Sequence, residues 1–521
     1  MIFCSRVIKM TVRINMKGQD YLQDTGPLVK AFFPYAAIVS DGAAGTEKEE
    51  GAPDLVLDFD LYESRIEIDI RDGKVNHHIT DDFSVHNPRI YENSGIPDRR
   101  MYRNHLHRAL YTGLSEITGK TLPWGTLTGV RPTKQAMEMG RVGYSENDIV
   151  RYFEEEYLAS PEKGRLAVKV TENERKLLDG IDFASTYSLY IGIPFCPSIC
   201  LYCSFSSYPL GQYEKSVEPY VAALMKEIRE TQTLFKDKKL ISIYFGGGTP
   251  TTLSADQLER VINCIKECFD LSCLKEWTVE AGRPDSITEE KLMVLKKAGI
   301  DRISVNPQSM QQKTLDLVGR RHTVTDVISA YNLARRCGFT NINMDLIAGL
   351  NGETAEDFRD TMEQITALAP DSVTVHTLAV KRAARLNRDM DMYRDSMADD
   401  TAIMTLVAAE ILQKNGYEPY YLYRQKNMSD NLENVGYARP GKEGLYNVLI
   451  MEECHTIAAC GAGGSSKLVR QDEAFGCGFL NESEDNEYTV RKIERCENVK
   501  SVKDYIERID EMTERKRKLF S

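Results

Sequence analysis

Three cysteines stand close together in Cys196-Pro-Ser-Ile-Cys200-Leu-Tyr-Cys203. Soft thiolate sulfur suits iron, and three thiolates this close suit an iron–sulfur cluster. On a four-iron cluster three ligands leave one iron open, the feature that separates a reactive metal site from a closed structural one. Two plainer readings compete: a structural zinc site, or three unrelated thiols. Zinc wants four ligands, often as paired C-x2-C elements, and no fourth Cys or His stands beside this run. The chain has 12 cysteines spread irregularly over 521 residues, unlike a small secreted disulfide scaffold. That favours a reducing compartment with free thiols, and with it metal or cluster ligation by a tight cysteine group.

Other residue types add to this run. Gly246-Gly247-Gly248-Thr249-Pro250-Thr251 is a glycine-rich turn, which lets backbone groups approach a ligand closely, although any tight turn uses glycine. Glu280 ends a strand-like run and is either a ligand or an ordinary strand-end carboxylate. Arg320, in Gly319-Arg320-Arg321-His322, offers a planar fork that holds a carboxylate bidentately. Arg321 and His322 are equally well read as solvated loop residues. Asp345 can accept hydroxyl hydrogen bonds, and Gln308 follows another strand-like run. Cys264, Cys268 and Cys273 have the spacing of helical core packing. Cys454, His455 and Cys460 could form a second metal site, but spacing alone has many false positives and core packing is preferred.

These residues need a scaffold. From about Tyr187 strand-like runs alternate with amphipathic helical ones. The strands expected are 188–193, 241–245, 277–281, 302–305, 341–347 and 372–376. The helices between them are 217–235, 255–269, 289–298, 324–337 and 355–368. Six strands joined by helical crossovers predict a parallel α/β sheet curled into a partial (β/α)6 TIM-like barrel, with reactive residues at the C-terminal ends of the strands. Before it, Leu55, Leu57, Phe59 and Leu61 alternate with polar residues, as do Ile66, Ile68 and Ile70, and Asp72-Gly73 marks a turn. From Arg99 to Leu178 the pattern is helical, with Ser145 capping a helix that runs to Tyr157. The domain division expected is an α+β accessory domain over 1–180, the barrel core over 181–395 and a mixed C-terminal substrate or cover region over 396–521. In that last region 401–415 reads as a helix and 502–520 as a charged helix, either a solvated face or a packing arm.

Composition narrows the class. With 42% hydrophobic and 28% charged residues the chain is an ordinary globular protein. A formal charge of −12 gives no ground for bulk nucleic-acid binding. No run approaches the ~18 apolar residues that span a bilayer. Residues 1–10 lack a proper apolar core and a cleavage site, so neither a membrane span nor a signal peptide is expected, and Met10 could be the true start. A cytoplasmic location follows as an expectation.

The residues together resemble a known family. The three-cysteine run resembles the signature of the radical S-adenosylmethionine (SAM) superfamily. Tyr190-Ile-Gly-Ile-Pro-Phe-Cys196 resembles the lead-in of its oxygen-independent coproporphyrinogen oxidase-like branch, with Gly192 where histidine is frequent. Thr278-Val-Glu-Ala-Gly-Arg-Pro-Asp285, Ser304-Val-Asn-Pro-Gln-Ser309, Val375-His-Thr-Leu-Ala-Val-Lys-Arg382 and Trp124-Gly-Thr-Leu-Thr-Gly-Val-Arg-Pro-Thr-Lys134 are similar to stretches of that branch. The resemblance implies a 4Fe–4S cluster on Cys196, Cys200 and Cys203, with Tyr190 lying over cluster and SAM as a catalytic and cofactor-binding residue. It also implies that Gly247, Gly248, Thr249 and Glu280 meet the SAM amine, and that Gln308, Arg320 and Asp345 meet its ribose and carboxylate. Phe205 stands where better-known members carry a further cysteine two residues past the third ligand, and is taken as cofactor-binding.

By the same resemblance, a SAM-derived 5′-deoxyadenosyl radical abstracts hydrogen from propionate side chains of coproporphyrinogen III, giving protoporphyrinogen IX in heme biosynthesis. A polyanionic tetrapyrrole needs cations. Lys381 and Arg382 are the substrate-binding candidates, with Arg385, Arg439 and Lys442 beside them; each could equally be an exposed surface charge. An electron donor such as ferredoxin or flavodoxin is an expected partner. The alternatives are a heme or tetrapyrrole chaperone and a different radical SAM enzyme acting on tetrapyrroles.

Overall fold

The computed structural model describes residues 10–34, 36–40, 53–73, 75–83, 98–129, 131–379, 400–425, 431–470 and 492–521. The chain forms two compact units, Met1–Thr171 with Tyr423–Glu433, and Glu172–Leu422 with Asn434–Ser521.

In the first unit the strands β1 (Thr11–Lys17), β2 (Ala37–Ser40), β3 (Leu55–Leu61), β4 (Arg65–Arg71) and β5 (Asn76–Asp82) form one sheet in the order β2-β1-β3-β4-β5. The period-2 pattern sets its inner face. Leu55, Leu57 and Phe59 on β3 and Ile66, Ile68 and Ile70 on β4 are buried, and they pack with Leu106, Leu110 and Leu114 of the helix Asp98–Thr118. Gly73 takes the left-handed conformation (φ 80°) that the turn between β4 and β5 requires. Ser145 caps the helix Glu146–Tyr157 by accepting from the Asp148 N–H. The unit also holds a buried charge cluster. Glu433 accepts from the Trp124 indole N–H at 2.7 Å and from Lys163 Nζ at 2.5 Å.

In the second unit β6 (Thr186–Ile193), β9 (Lys239–Gly247), β10 (Glu276–Gly282), β11 (Arg302–Val305), β12 (Ile342–Ala348) and β13 (Ser372–Thr377) lie side by side in chain order, every neighbouring pair parallel. The helices Leu210–Gln232, Ala255–Cys268, Glu289–Lys297, Val324–Arg336 and Ala355–Leu368 connect successive strands. Three of these helices begin at capping boxes, Ser254 with Gln257, Thr323 with Asp326 and Thr354 with Asp357, so the chain itself marks where each turns back. This is the expected partial (β/α)6 barrel. β15 (Asn434–Ala438) joins antiparallel beyond β13, and β16 (Ile457–Cys460) joins parallel beyond β6, so the ends of the sheet are extended rather than joined.

Of the two readings of the C-terminal stretch, solvated face or packing arm, the packing arm holds. It forms two helices, Val502–Glu507 and Ile509–Phe520, and buries Val502, Tyr505, Met512 and Lys516. Lys516 Nζ lies 2.7 Å from Glu227 Oε1 on the helix Leu210–Gln232. Glu227 also accepts from the Gly461 N–H, Asn498 Nδ2 and the Tyr505 hydroxyl. Lys516 thus serves one satisfied buried network, while most other charges of these helices face outward.

Candidate active site

The three cysteines occupy the loop that leaves the C-terminal end of β6. The loop is pinned from several sides. The short strands β7 (Phe195–Cys196) and β8 (Tyr208–Pro209) pair across its base. The Leu201 N–H donates to Val318 O at 2.9 Å, and Leu201 packs with Val318, Ile347, Leu350 and Leu378. The glycine turn after β9 holds the loop's lead-in, because the Gly248 and Thr249 N–H groups donate to Ile193 O and Phe195 O, each at 2.7 Å. A Cβ on Gly248 would sit 2.6 Å from Phe195 O, so only glycine permits this approach of backbone to backbone.

Cys200 is buried, and Cys196 and Cys203 are half-buried. Thr249 Oγ1 lies 3.5 Å from Cys196 Sγ, and Ser207 Oγ lies 3.8 Å from Cys203 Sγ. Burial pushes the Cys196 thiol up to about 11 and raises that of Cys203. Loading such thiols with metal must therefore release protons. Among the described residues no three His, Cys, Asp or Glu side chains converge on one metal-ion position. Three soft thiols on one loop are a donor set that would suit an iron–sulfur cluster, and a single zinc ion would want a fourth ligand.

Below the loop the barrel strands share a pattern. β6, β9, β10, β12 and β13 are buried along most of their length, but each has one half-buried interior position: Tyr190, Tyr244, Glu280, Asp345 and His376. Tyr190 and Tyr244 are register partners on neighbouring strands. Their rings lie nearly parallel with that of Tyr446, and the Tyr244 and Tyr446 centroids are 4.5 Å apart. Tyr446 is carried on the helix Leu445–Met451, whose first N–H groups donate to the buried Glu276 carboxylate at the start of β10.

The Tyr244 hydroxyl donates to Glu280 Oε1 at 2.6 Å. Burial pushes the Glu280 carboxyl up to about 7; the Tyr244 hydrogen bond opposes the rise and the Asp345 carboxylate adds to it. Asp345 Oδ1 accepts from Asn343 Nδ2 at 2.6 Å, and Asp345 Oδ2 lies 4.0 Å from His376 Nε2. Burial lowers the His376 imidazole, and Asp345 opposes this.

Gln308 takes a left-handed backbone conformation (φ 69°) that non-glycine residues seldom adopt. It is held there by bonds between its own N–H and Asp345 O and between its O and the Ile347 N–H. Its side-chain oxygen is buried without a protein partner, as is that of Asn306. The orphaned Gln308 acceptor, on a backbone bonded to that of Asp345, fits a ligand that brings its own hydroxyl or amine donor.

Arg320 is buried beside the cysteine loop. Its Nη1 donates to the Tyr202 hydroxyl at 3.1 Å and lies 3.9 Å from Cys200 Sγ, while Nη2 donates to Asn306 O. Arg321 is exposed, but His322 is buried, and burial takes its imidazole down to about 4. Phe205 follows the loop with 70% of its surface exposed. Lys381, Arg382 and Arg385 lie outside the described residues. Arg439 and Lys442 sit away from the mouth. Arg439 stacks on Tyr417, and Lys442 Nζ donates to Thr340 O, just before β12 begins. That is the opposite end of the barrel from the cysteine loop. His455 is buried between the hydroxyls of Thr186 and Ser188, and Cys460 faces Lys516, so these residues belong to the core.

Sequence reasoning assigned no role to Tyr244, His376, Tyr446 or Arg283. Tyr244 and His376 carry the same signal as Tyr190, a polar ring near the C-terminal end of a strand, and Arg283 lies three residues after Glu280.

Comparison with known proteins agrees with this geometry. Residues 190–365 match the model of the radical SAM superfamily. The chain is 41% identical over 382 residues to the oxygen-independent coproporphyrinogen-III oxidase-like protein HemZ of Bacillus subtilis, covering 73% of this chain and 76% of that protein. It is 34% identical over 287 residues to the heme chaperone HemW of Lactococcus lactis, covering 54% and 70%. It is 32% identical over 235 residues to the oxygen-independent coproporphyrinogen III oxidase of Salmonella typhimurium, covering 44% and 50%. The chain belongs to the radical SAM superfamily, in its oxygen-independent coproporphyrinogen oxidase-like branch, and its cofactors are a 4Fe–4S cluster and SAM.

Proposed function

We propose that this chain oxidatively decarboxylates coproporphyrinogen III to protoporphyrinogen IX in oxygen-independent heme biosynthesis. The observation that carries this reading is the polar ring of Tyr190, Tyr244, Glu280, Asp345 and His376 lining the barrel directly below a three-thiol loop.

In this reading Cys196, Cys200 and Cys203 hold three irons and leave the fourth open. The cluster, once reduced, supplies the electron that splits SAM into methionine and a 5′-deoxyadenosyl radical. The residues do the rest by placement. Glu280 and the Gly247-Gly248-Thr249 turn hold the SAM amine, Gln308 and Asp345 hold the ribose, and Arg320 meets the carboxylate. Tyr190 closes the site over cluster and SAM, with Phe205 at its outer edge. The barrel walls keep water from the radical.

Lys381 and Arg382, a few residues past β13, meet the substrate propionates. Two of the propionates react in turn: each would give up one hydrogen atom to the deoxyadenosyl carbon, then carbon dioxide and one electron, and become a vinyl group, the electron passing to an external acceptor. The test is an anaerobic reaction of reconstituted protein with SAM, a reductant and coproporphyrinogen III, read by mass spectrometry. Stepwise loss of two carboxyl groups is expected. SAM cleavage without decarboxylation would overturn the substrate assignment and leave the cofactor chemistry standing.

A second reading, a heme chaperone, draws on the similarity to HemW. It predicts tight heme uptake and no vinyl product in the same reaction.

A further inference from the structure

The strand that carries Glu280 also delivers a residue to the cysteine loop. β10 shifts register between Glu280 and Gly282, and Gly282 turns the chain at φ 63°. The next residue, Arg283, is only 4% exposed, as is Arg320. Asp285 grips Arg283 as a fork: Nε donates to Oδ1 at 2.9 Å and Nη2 to Oδ2 at 2.7 Å. The remaining nitrogen, Nη1, is thereby aimed into the loop. It donates to Ser198 Oγ at 2.7 Å and Ser198 O at 3.2 Å, and it lies 3.9 Å from Cys200 Sγ. Arg320 Nη1 reaches the same sulfur, also at 3.9 Å. One thiol of the three thus sits between two buried guanidinium groups.

We infer that Arg283, oriented by Asp285, is a positioning residue for the cluster: it braces the loop through Ser198 and raises the cluster's reduction potential through Cys200. The inference rests on the reading of Cys200 as a cluster ligand. The physical reason is direct. A cluster gains negative charge when it is reduced, and nearby positive charge with N–H donors on its sulfurs favours that state. Arginine stays charged at any working pH, and a lysine could not be gripped by Asp285 in the same fork.

The experiment is an EPR-monitored redox titration of the anaerobically reconstituted protein, with iron content measured before and after exposure to a chelator. Arg283→Met should load a 4Fe–4S cluster whose potential is lower by about 59 mV, a tenfold change in a one-electron equilibrium, and should lose iron to the chelator faster. Arg283→Lys should recover part of the potential and little of the retention. Asp285→Asn, which keeps the guanidinium and loosens its aim, should shift both readings in the same direction by less; it decides the matter if Arg283→Met fails to take up a cluster. Wild-type potential and retention in Asp285→Asn, or in a loaded Arg283→Met protein, would overturn the inference. A full cluster in Cys200→Ala would instead overturn the ligand assignment beneath it.

Discussion

Tyr244 donates a 2.6 Å hydrogen bond to Glu280 across the floor of the barrel, so a phenol on the neighbouring strand restrains the rise that burial imposes on one inward-facing carboxyl. Burial raises the Glu280 carboxyl to about 7, and the Tyr244 bond restrains that rise.

A pH-dependent affinity follows. In the proposed SAM site the amine pairs with the carboxylate form of Glu280, which is scarce below about pH 7. SAM binding to the loaded protein should therefore tighten as pH rises through 6 to 7, up to about tenfold per unit, and level off above. Glu280→Gln should bind weakly with no such slope. Tyr244→Phe should move the inflection to higher pH. Equilibrium dialysis at several pH values would show it, and an unchanged slope in Glu280→Gln would remove Glu280 from the SAM site. Linkage gives the matching stability sign. A carboxyl raised in the folded state stabilises the fold fully below its unfolded value and loses that contribution as pH climbs through about 7. Glu280→Gln should therefore gain Tm over the wild type at pH 8 and not at pH 4.

Gly248→Ala should impair cluster loading. The added Cβ would meet Phe195 O at 2.6 Å and push the lead-in of the cysteine loop away from the glycine turn. Iron content after reconstitution should fall to a small fraction of wild type while far-UV circular dichroism is unchanged. Full iron content would mean that the loop adapts without this contact.

Lys516→Met should loosen the C-terminal helices. Glu227 would remain buried with one charge unpaired, a change that costs about 3–5 kcal/mol in comparable buried pairs. Amide exchange within Ile509–Phe520 should accelerate by two orders of magnitude or more, and Glu227→Gln added to Lys516→Met should restore part of the protection.

Glu433→Gln tests the first unit in the same way. Glu433 accepts from both Trp124 and Lys163, so the substitution strands the Lys163 ammonium at a site 5% exposed. A lower Tm and a red shift of the Trp124 fluorescence are expected; wild-type values of both would show that the pair contributes nothing.

Much of the barrel could be read from residue types alone. The strand Arg302–Val305 and the helix Ala355–Leu368 have the expected bounds, because apolar runs and capping pairs such as Thr354 with Asp357 mark them locally. The cysteine run was legible for the same reason, being one contiguous stretch. Tyr244, Tyr446 and Arg283 were not, because their positions depend on which strand lies beside which and on where a chain turns after its last ladder bond. The C-terminal helices show the opposite difficulty. Lys516 and Glu227 are 289 residues apart, and charge alone left open whether this helix was a solvated face or a packing arm. Arg439 and Lys442 had plausible chemistry, but the antiparallel course of β15 carries them to the far end of the barrel.

The most direct test of the proposed activity follows one hydrogen atom. Coproporphyrinogen III deuterated at the propionate carbon next to the ring would be turned over with unlabelled SAM, and the 5′-deoxyadenosine analysed by mass spectrometry. Singly deuterated 5′-deoxyadenosine in step with a vinyl product is the predicted result. Unlabelled 5′-deoxyadenosine alongside untouched coproporphyrinogen III would contradict it.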